Sequence, residues 1–139
     1  MNEKNIKEKL KISYKLLWPF SEKYKVDFDR YLFSLKILIP LFNSQKTKIL
    51  DIGTGIGILP LTLKQLGFKV SGADLYVFQE NNMFSVDDFK NLKKIWEDNN
   101  LDINNFDIIN DKITDKKEYY DIIISEATIE HLKNPKKNF

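Results

Sequence analysis

The sequence has no cysteine. That excludes disulfides, thiolate metal sites and cysteine nucleophiles, and it fits a reducing, cytoplasmic compartment. Histidine and arginine occur once each, as His131 and Arg30. One histidine among scattered carboxylates makes no recognisable metal site. No apolar run reaches the ~18 residues of a membrane span, so no membrane partner is expected. The amino-terminal stretch MNEKNIKEKLKISYK is charged and helical, without an apolar segment leading to a small-residue cleavage site, so no secretory signal is expected either. Net charge is +2, and the basic residues are spread out rather than gathered in a stripe. Nucleic acid is therefore not an expected partner. Repeats and low-complexity linkers are missing too, and 139 residues amount to one domain.

What is present is an alternation of elements. Ile6, Leu10, Tyr14 and Leu17 recur at helical spacing, and Pro19 ends that helix. A second helix begins near Asp27, a plausible cap, with Phe28, Leu32, Leu35 and Ile39 on its apolar face. KILDI (48–52) reads as a buried strand that passes straight into a glycine turn. Residues 58–66 form a leucine-rich helix, which tolerates Pro60 in its first turn and stops at Gly67. FKVSGAD (68–74) is a second strand. After loop 75–84, Ser85 and Asp88 make a capping box for a helix with Val86, Phe89, Leu92 and Trp96 as its stripe. FDIIN (106–110) is the expected third strand and YYDIIIS (119–125) the fourth, with a helix starting at about Ala127.

Strands alternating with helices predict an α/β fold: a Rossmann-like parallel sheet of order 3-2-1-4, flanked by helices. The expected division is an amino-terminal helical cap, 1–46, and a ligand-binding domain, 47–139. Ligands of such sheets sit at the carboxyl ends of the strands where the order reverses, here between the first and fourth.

The turn is Asp51-Ile52-Gly53-Thr54-Gly55-Ile56-Gly57. Its glycines admit backbone angles other residues resist and let a ligand approach the main chain. The N–H groups opening the next helix present partial positive charge. Asp74 closes the second strand, where a carboxylate can accept hydrogen bonds from a ribose diol. Strand, turn, helix and terminal acid together form a nucleotide-binding context; the alternative is a tight turn that serves packing alone. A dinucleotide fingerprint would need a small residue at Ile58 or Pro60, and no phosphate loop ending in Gly-Lys-Ser/Thr occurs. A nucleoside without a pyrophosphate fits better.

On these residues the sequence resembles the class I S-adenosylmethionine-dependent methyltransferases. ILDIGTGIG is similar to that family's first motif, with Asp51 two residues before the first glycine. GADLY is similar to the second, which implies Asp74 on the ribose hydroxyls and Leu75 against the adenine. IINDKI resembles the third, in which Asp111 would accept from the adenine amino group. YYDIIISEATIEHL resembles the fourth, which implies Ser125 and Glu126 near the methionine part. With Gly53, Thr54, Gly55 and Gly57, these residues make up the cofactor set that the resemblance implies. Two departures stand out. Loop 75–84 is longer than usual, and four strands can be placed where the family has seven.

Methyl transfer mainly requires a nucleophile held about 3 Å from the methyl carbon, so a general base is optional. His131 follows the fourth strand, and an unperturbed pKa of about 6.5 would suit a base; the plainer role is a surface or capping histidine. Glu126 and Glu130 share a helical face, and Glu130 reads as solvated. Tyr14, Trp18, Tyr24, Phe28 and Tyr31 belong to the amino-terminal helices, where core packing explains most of them, although such helices often cover the cofactor in the resembling family. The expected function is an S-adenosylmethionine-dependent methyltransferase acting on a small molecule, since EATIEHLKNP resembles small-molecule members. The alternative is a non-catalytic S-adenosylmethionine-binding module, or a half that needs a partner chain. The apolar run 120–125 lies at the edge of the expected sheet, where a homodimer or another chain would pair with it.

Overall fold

The computed structural model describes residues 1–74, 85–105 and 119–125. Helix α1, Glu3–Leu16, starts at Asn2, whose side chain accepts from the Asn5 N–H at 2.8 Å. Two 3₁₀ stretches, Phe20–Asp27 and Ile39–Leu41, flank α2, Phe28–Leu38. The first of these had no signal beyond the Pro19 stop. Asp27 does not cap α2 with its side chain; its carboxylate lies 3.5 Å from Arg30 Nε instead.

Strand β1, Lys48–Ile52, leads through the glycine turn to α3, Ile58–Gln65. Pro60 falls in the first turn of α3. Its end is a Schellman arrangement: Gly67 N–H donates to Lys64 O at 2.9 Å and Phe68 N–H to Leu63 O at 3.0 Å. Strand β2, Lys69–Asp74, and α4, Val86–Asp98, follow, and the Ser85–Asp88 capping box is formed in both directions. The remaining strands are β3, Asp102–Asn105, and β4, Ile122–Ser125.

All pairings are parallel and the order is β3-β2-β1-β4, as the alternation predicts. The described part of the third strand begins earlier than expected. Residues 106–110 were expected to form it, and they lie outside the described residues; among the described residues the segment that pairs with β2 is Asp102–Asn105. Its polar sequence gives little strand signal. Its place is set by the end of α4, where Asn100 adopts φ 55° and the buried Leu101 returns its N–H to Trp96 O at 2.8 Å. Tertiary pairing overrides local propensity at such an edge.

The described helices share one core with one face of the sheet. Ile6, Leu10 and Leu17 of the amino-terminal helix region, Leu35 and Ile39, the apolar residues of α3, and Leu92 and Trp96 of α4 cluster with Ile49, Val70 and Ile124. Alternation along β1 sends Leu50 and Ile52 to the other face, where they cluster with Ala73 and the half-buried Tyr120. Between α1 and α3 the contact is polar at its centre. Ser13 Oγ and Thr62 Oγ1 are 2.7 Å apart, and Gln65 Nε2 donates to Ser13 Oγ at 2.6 Å. These bonds fix how the amino-terminal helices lie against the helix that starts at the glycine turn.

Candidate active site

The turn after β1 is held by its neighbours on both sides. Gly53 N–H donates to Ala73 O at 2.8 Å, continuing the β1–β2 ladder past the last strand residue. Gly55 N–H donates to Asp74 Oδ2 at 2.7 Å. Gly57 N–H donates to Thr54 O at 3.0 Å and Leu61 N–H to Gly57 O at 3.0 Å, which starts α3. Gly53, Gly55 and Gly57 have φ of 78°, 61° and 96°, the left-handed region that side chains disfavour.

Asp51 is 3% exposed, and Thr54 Oγ1 donates to its Oδ2 at 2.7 Å. A buried carboxylate needs such donors, because desolvation without hydrogen bonds costs several kcal/mol. This pair therefore ties the end of β1 to the middle of the turn.

Two residues to which the sequence assigned no part in the turn complete the support. A Cβ on Gly72, in β2, would lie 2.5 Å from Ile103 Cδ1 and 3.0 Å from Thr54 Oγ1, so any side chain there would make Ile103 shift and press on Thr54 of the turn. A glycine inside a strand is itself a mark of close approach, and that signal was available. Trp96 was legible as part of an apolar stripe, but not in its polar role. Its Nε1 donates to Ile56 O at 2.8 Å in a buried bond and also lies 3.0 Å from where a Gly57 Cβ would stand.

Ser125 ends β4 and lies beside Ile52 in the β1–β4 register. Its Oγ is buried without a hydrogen-bond partner among the described residues. Asp51, Gly53, Thr54, Gly55, Gly57, Asp74 and Ser125 thus meet at the carboxyl ends of β1, β2 and β4, where the strand order reverses. Leu75, Asp111, Glu126 and His131 lie outside the described residues, as do Glu130 and loop 75–84.

The first 3₁₀ stretch brings Tyr24 to the same end. Tyr24 Oη would be 3.9 Å from a Cβ on Gly55. Burial raises the phenol's pKa above its ordinary value, and the charges of Asp74 and Asp27 add to this. Tyr14 Oη donates to Tyr24 O at 2.5 Å; its own pKa is raised to about 12 by burial first and by Asp27 second, with Arg30 opposing.

The chain matches the family model described as a methyltransferase domain over residues 24–139, from Tyr24 through the whole sheet. No curated protein and no solved structure matches it. The matched span takes in every described residue of the turn, Asp74 and Ser125, and the parallel 3-2-1-4 sheet beneath them is the fold that the sequence motifs imply. The chain belongs to the methyltransferase domain family, of the class I kind that its glycine turn resembles.

Proposed function

We propose that the chain binds S-adenosylmethionine at the carboxyl ends of β1, β2 and β4 and directs methyl transfer to an oxygen, nitrogen or carbon nucleophile of a small molecule. The observation that carries this reading is the convergence of Asp74 and the glycine turn with a buried Ser125 hydroxyl that has no hydrogen-bond partner among the described residues. A buried polar atom without a partner is rare in a folded protein, and a bound ligand would satisfy it. The residues present suit the cofactor. Asp74 would hold the ribose hydroxyls, Gly53, Thr54, Gly55 and Gly57 would let the main chain approach the nucleoside, Asp51 would keep Thr54 in place, and Ser125 would face the methionine part. Ile58 is 1% exposed and Pro60 is buried, at the two positions where a dinucleotide fingerprint requires a small residue. That favours a nucleoside over NAD.

When bound, the cofactor would supply an electrophilic methyl carbon, whose bond to sulfur would break with the electron pair left on sulfur, and the acceptor's proton would pass to solvent. The chain's own contribution is to position and shield the reacting groups, which is the main requirement for such a displacement. A small-molecule acceptor agrees with the absence of a basic stripe in the sequence.

A second reading has one observation in its favour. β4 is an edge of the described sheet, and Ile123 within it is 40% exposed. The chain would then be a cofactor-binding module that works with a partner chain, or a second copy of itself, paired along β4. Incubation with methyl-labelled S-adenosylmethionine and pooled acceptors separates the cases. Label in small molecules is the expected result. Label only in nucleic acid or protein would overturn the substrate class. Binding without transfer to any acceptor would favour the second reading.

A further inference from the structure

We infer that Tyr24 is a ligand-contacting residue of this site, its hydroxyl offered across the glycine turn to the bound nucleoside ligand. The inference rests on the proposed binding of S-adenosylmethionine and extends it to a segment outside the sheet. Three observations converge.

First, the hydroxyl is at the turn. The point where a Gly55 side chain would begin is 3.9 Å from Tyr24 Oη, an ordinary contact distance. Gly55 is also the residue whose N–H is held by Asp74. Among the amino-terminal aromatics, Tyr24 is the one whose polar end reaches this point; Trp18, by contrast, is 65% exposed.

Second, the residue is held there. Tyr14 Oη donates to the Tyr24 carbonyl at 2.5 Å, and Ser21 Oγ donates to the Tyr14 carbonyl at 2.5 Å. The Tyr14 ring packs against Phe28 with centroids 5.4 Å apart. These contacts lock the 3₁₀ stretch to α1 and α2, and α1 is in turn fastened to α3 through Ser13 and Thr62. The Tyr24 ring itself packs against the main core. A phenylalanine would fill that apolar space equally well, so the hydroxyl is the part that core packing leaves unexplained.

Third, the phenol is a neutral donor. Burial, followed by the nearby charges of Asp74 and Asp27, disfavours its ionised form. It therefore keeps its proton at neutral pH and can donate to a ribose oxygen or to the carboxylate of an aminoacyl group.

The test compares wild type with Tyr24→Phe by calorimetry, using S-adenosylhomocysteine and 5′-methylthioadenosine, which lacks the aminoacyl group. Wild type should bind S-adenosylhomocysteine. The variant should melt at the same temperature and bind it about three- to tenfold more weakly, the effect of one lost neutral hydrogen bond. An equal loss for both ligands places the contact on the ribose, and a loss for S-adenosylhomocysteine alone places it on the aminoacyl group; either supports the inference. A variant that binds as tightly as wild type overturns the inference and leaves the functional reading intact. A wild type that binds neither ligand overturns both. If the variant melts lower, nitration of the wild-type chain, mapped by mass spectrometry, gives the same answer. S-adenosylhomocysteine should protect Tyr24 while the exposed Tyr119 still reacts; unchanged nitration of Tyr24 would overturn the inference.

Discussion

The backbone N–H of Gly55 and the carboxylate of Asp74 meet at 2.7 Å, joining the turn after β1 to the last residue of β2. Asp74 therefore carries two loads, the shape of the turn and the proposed ribose contact. The two separate by substitution. Asp74→Asn keeps an oxygen acceptor for Gly55 and loses the charge, so it should melt close to wild type while affinity for S-adenosylhomocysteine falls about tenfold or more. Asp74→Ala should also lose roughly 1.5 kcal/mol of stability, because the Gly55 donor loses its charged partner. Denaturant titration and calorimetry on the two variants check this. Equal stability of all three proteins would remove the structural role of Asp74.

Gly72 should not tolerate a methyl group. Alanine there would stand 2.5 Å from Ile103 Cδ1 and 3.0 Å from both Thr54 Oγ1 and Cγ2. The expected cost is about 1–3 kcal/mol, the usual range for overpacking a tight contact. Ile103→Val removes the nearest atom, so the double variant should recover part of the loss. Urea unfolding of the three variants measures it. No recovery would put the strain on Thr54 and the turn.

Stability should fall in alkali through Tyr14. Its pKa in the folded chain is about 12, against an ordinary 10.0. Below pH 10 both states hold the proton and the fold is unaffected. Above that the unfolded chain releases it first, so stability declines until the pH passes about 12. Tyr14→Phe should be less stable than wild type at pH 8, since it loses the bond to Tyr24, and the gap should narrow from pH 10 upward. Unfolding midpoints between pH 8 and 11.5 check this, and a constant gap would contradict it.

The legible parts of the site were the local ones. β1 runs from Lys48 to Ile52 as read, and α3 and its stop at Gly67 follow as expected, because strand, turn, helix and cap are each written in neighbouring residues. The order 3-2-1-4 followed from alternation alone. The third strand's described part, Asp102–Asn105, starts ahead of the expected 106–110; it carried little signal because it is polar, and its pairing is decided by β2, distant in sequence. The same reason hid Trp96 and Tyr24. One was legible as a stripe residue and the other as one aromatic among several, and only the folded chain shows that each brings a polar atom to the glycine turn.

Calorimetric titration of the chain with S-adenosylhomocysteine, alongside NAD, distinguishes a nucleoside site from a dinucleotide one. Saturable one-to-one binding of S-adenosylhomocysteine, weakened in Asp74→Asn, is expected, with no heat beyond dilution for NAD. Saturable binding of NAD with none of S-adenosylhomocysteine would contradict it.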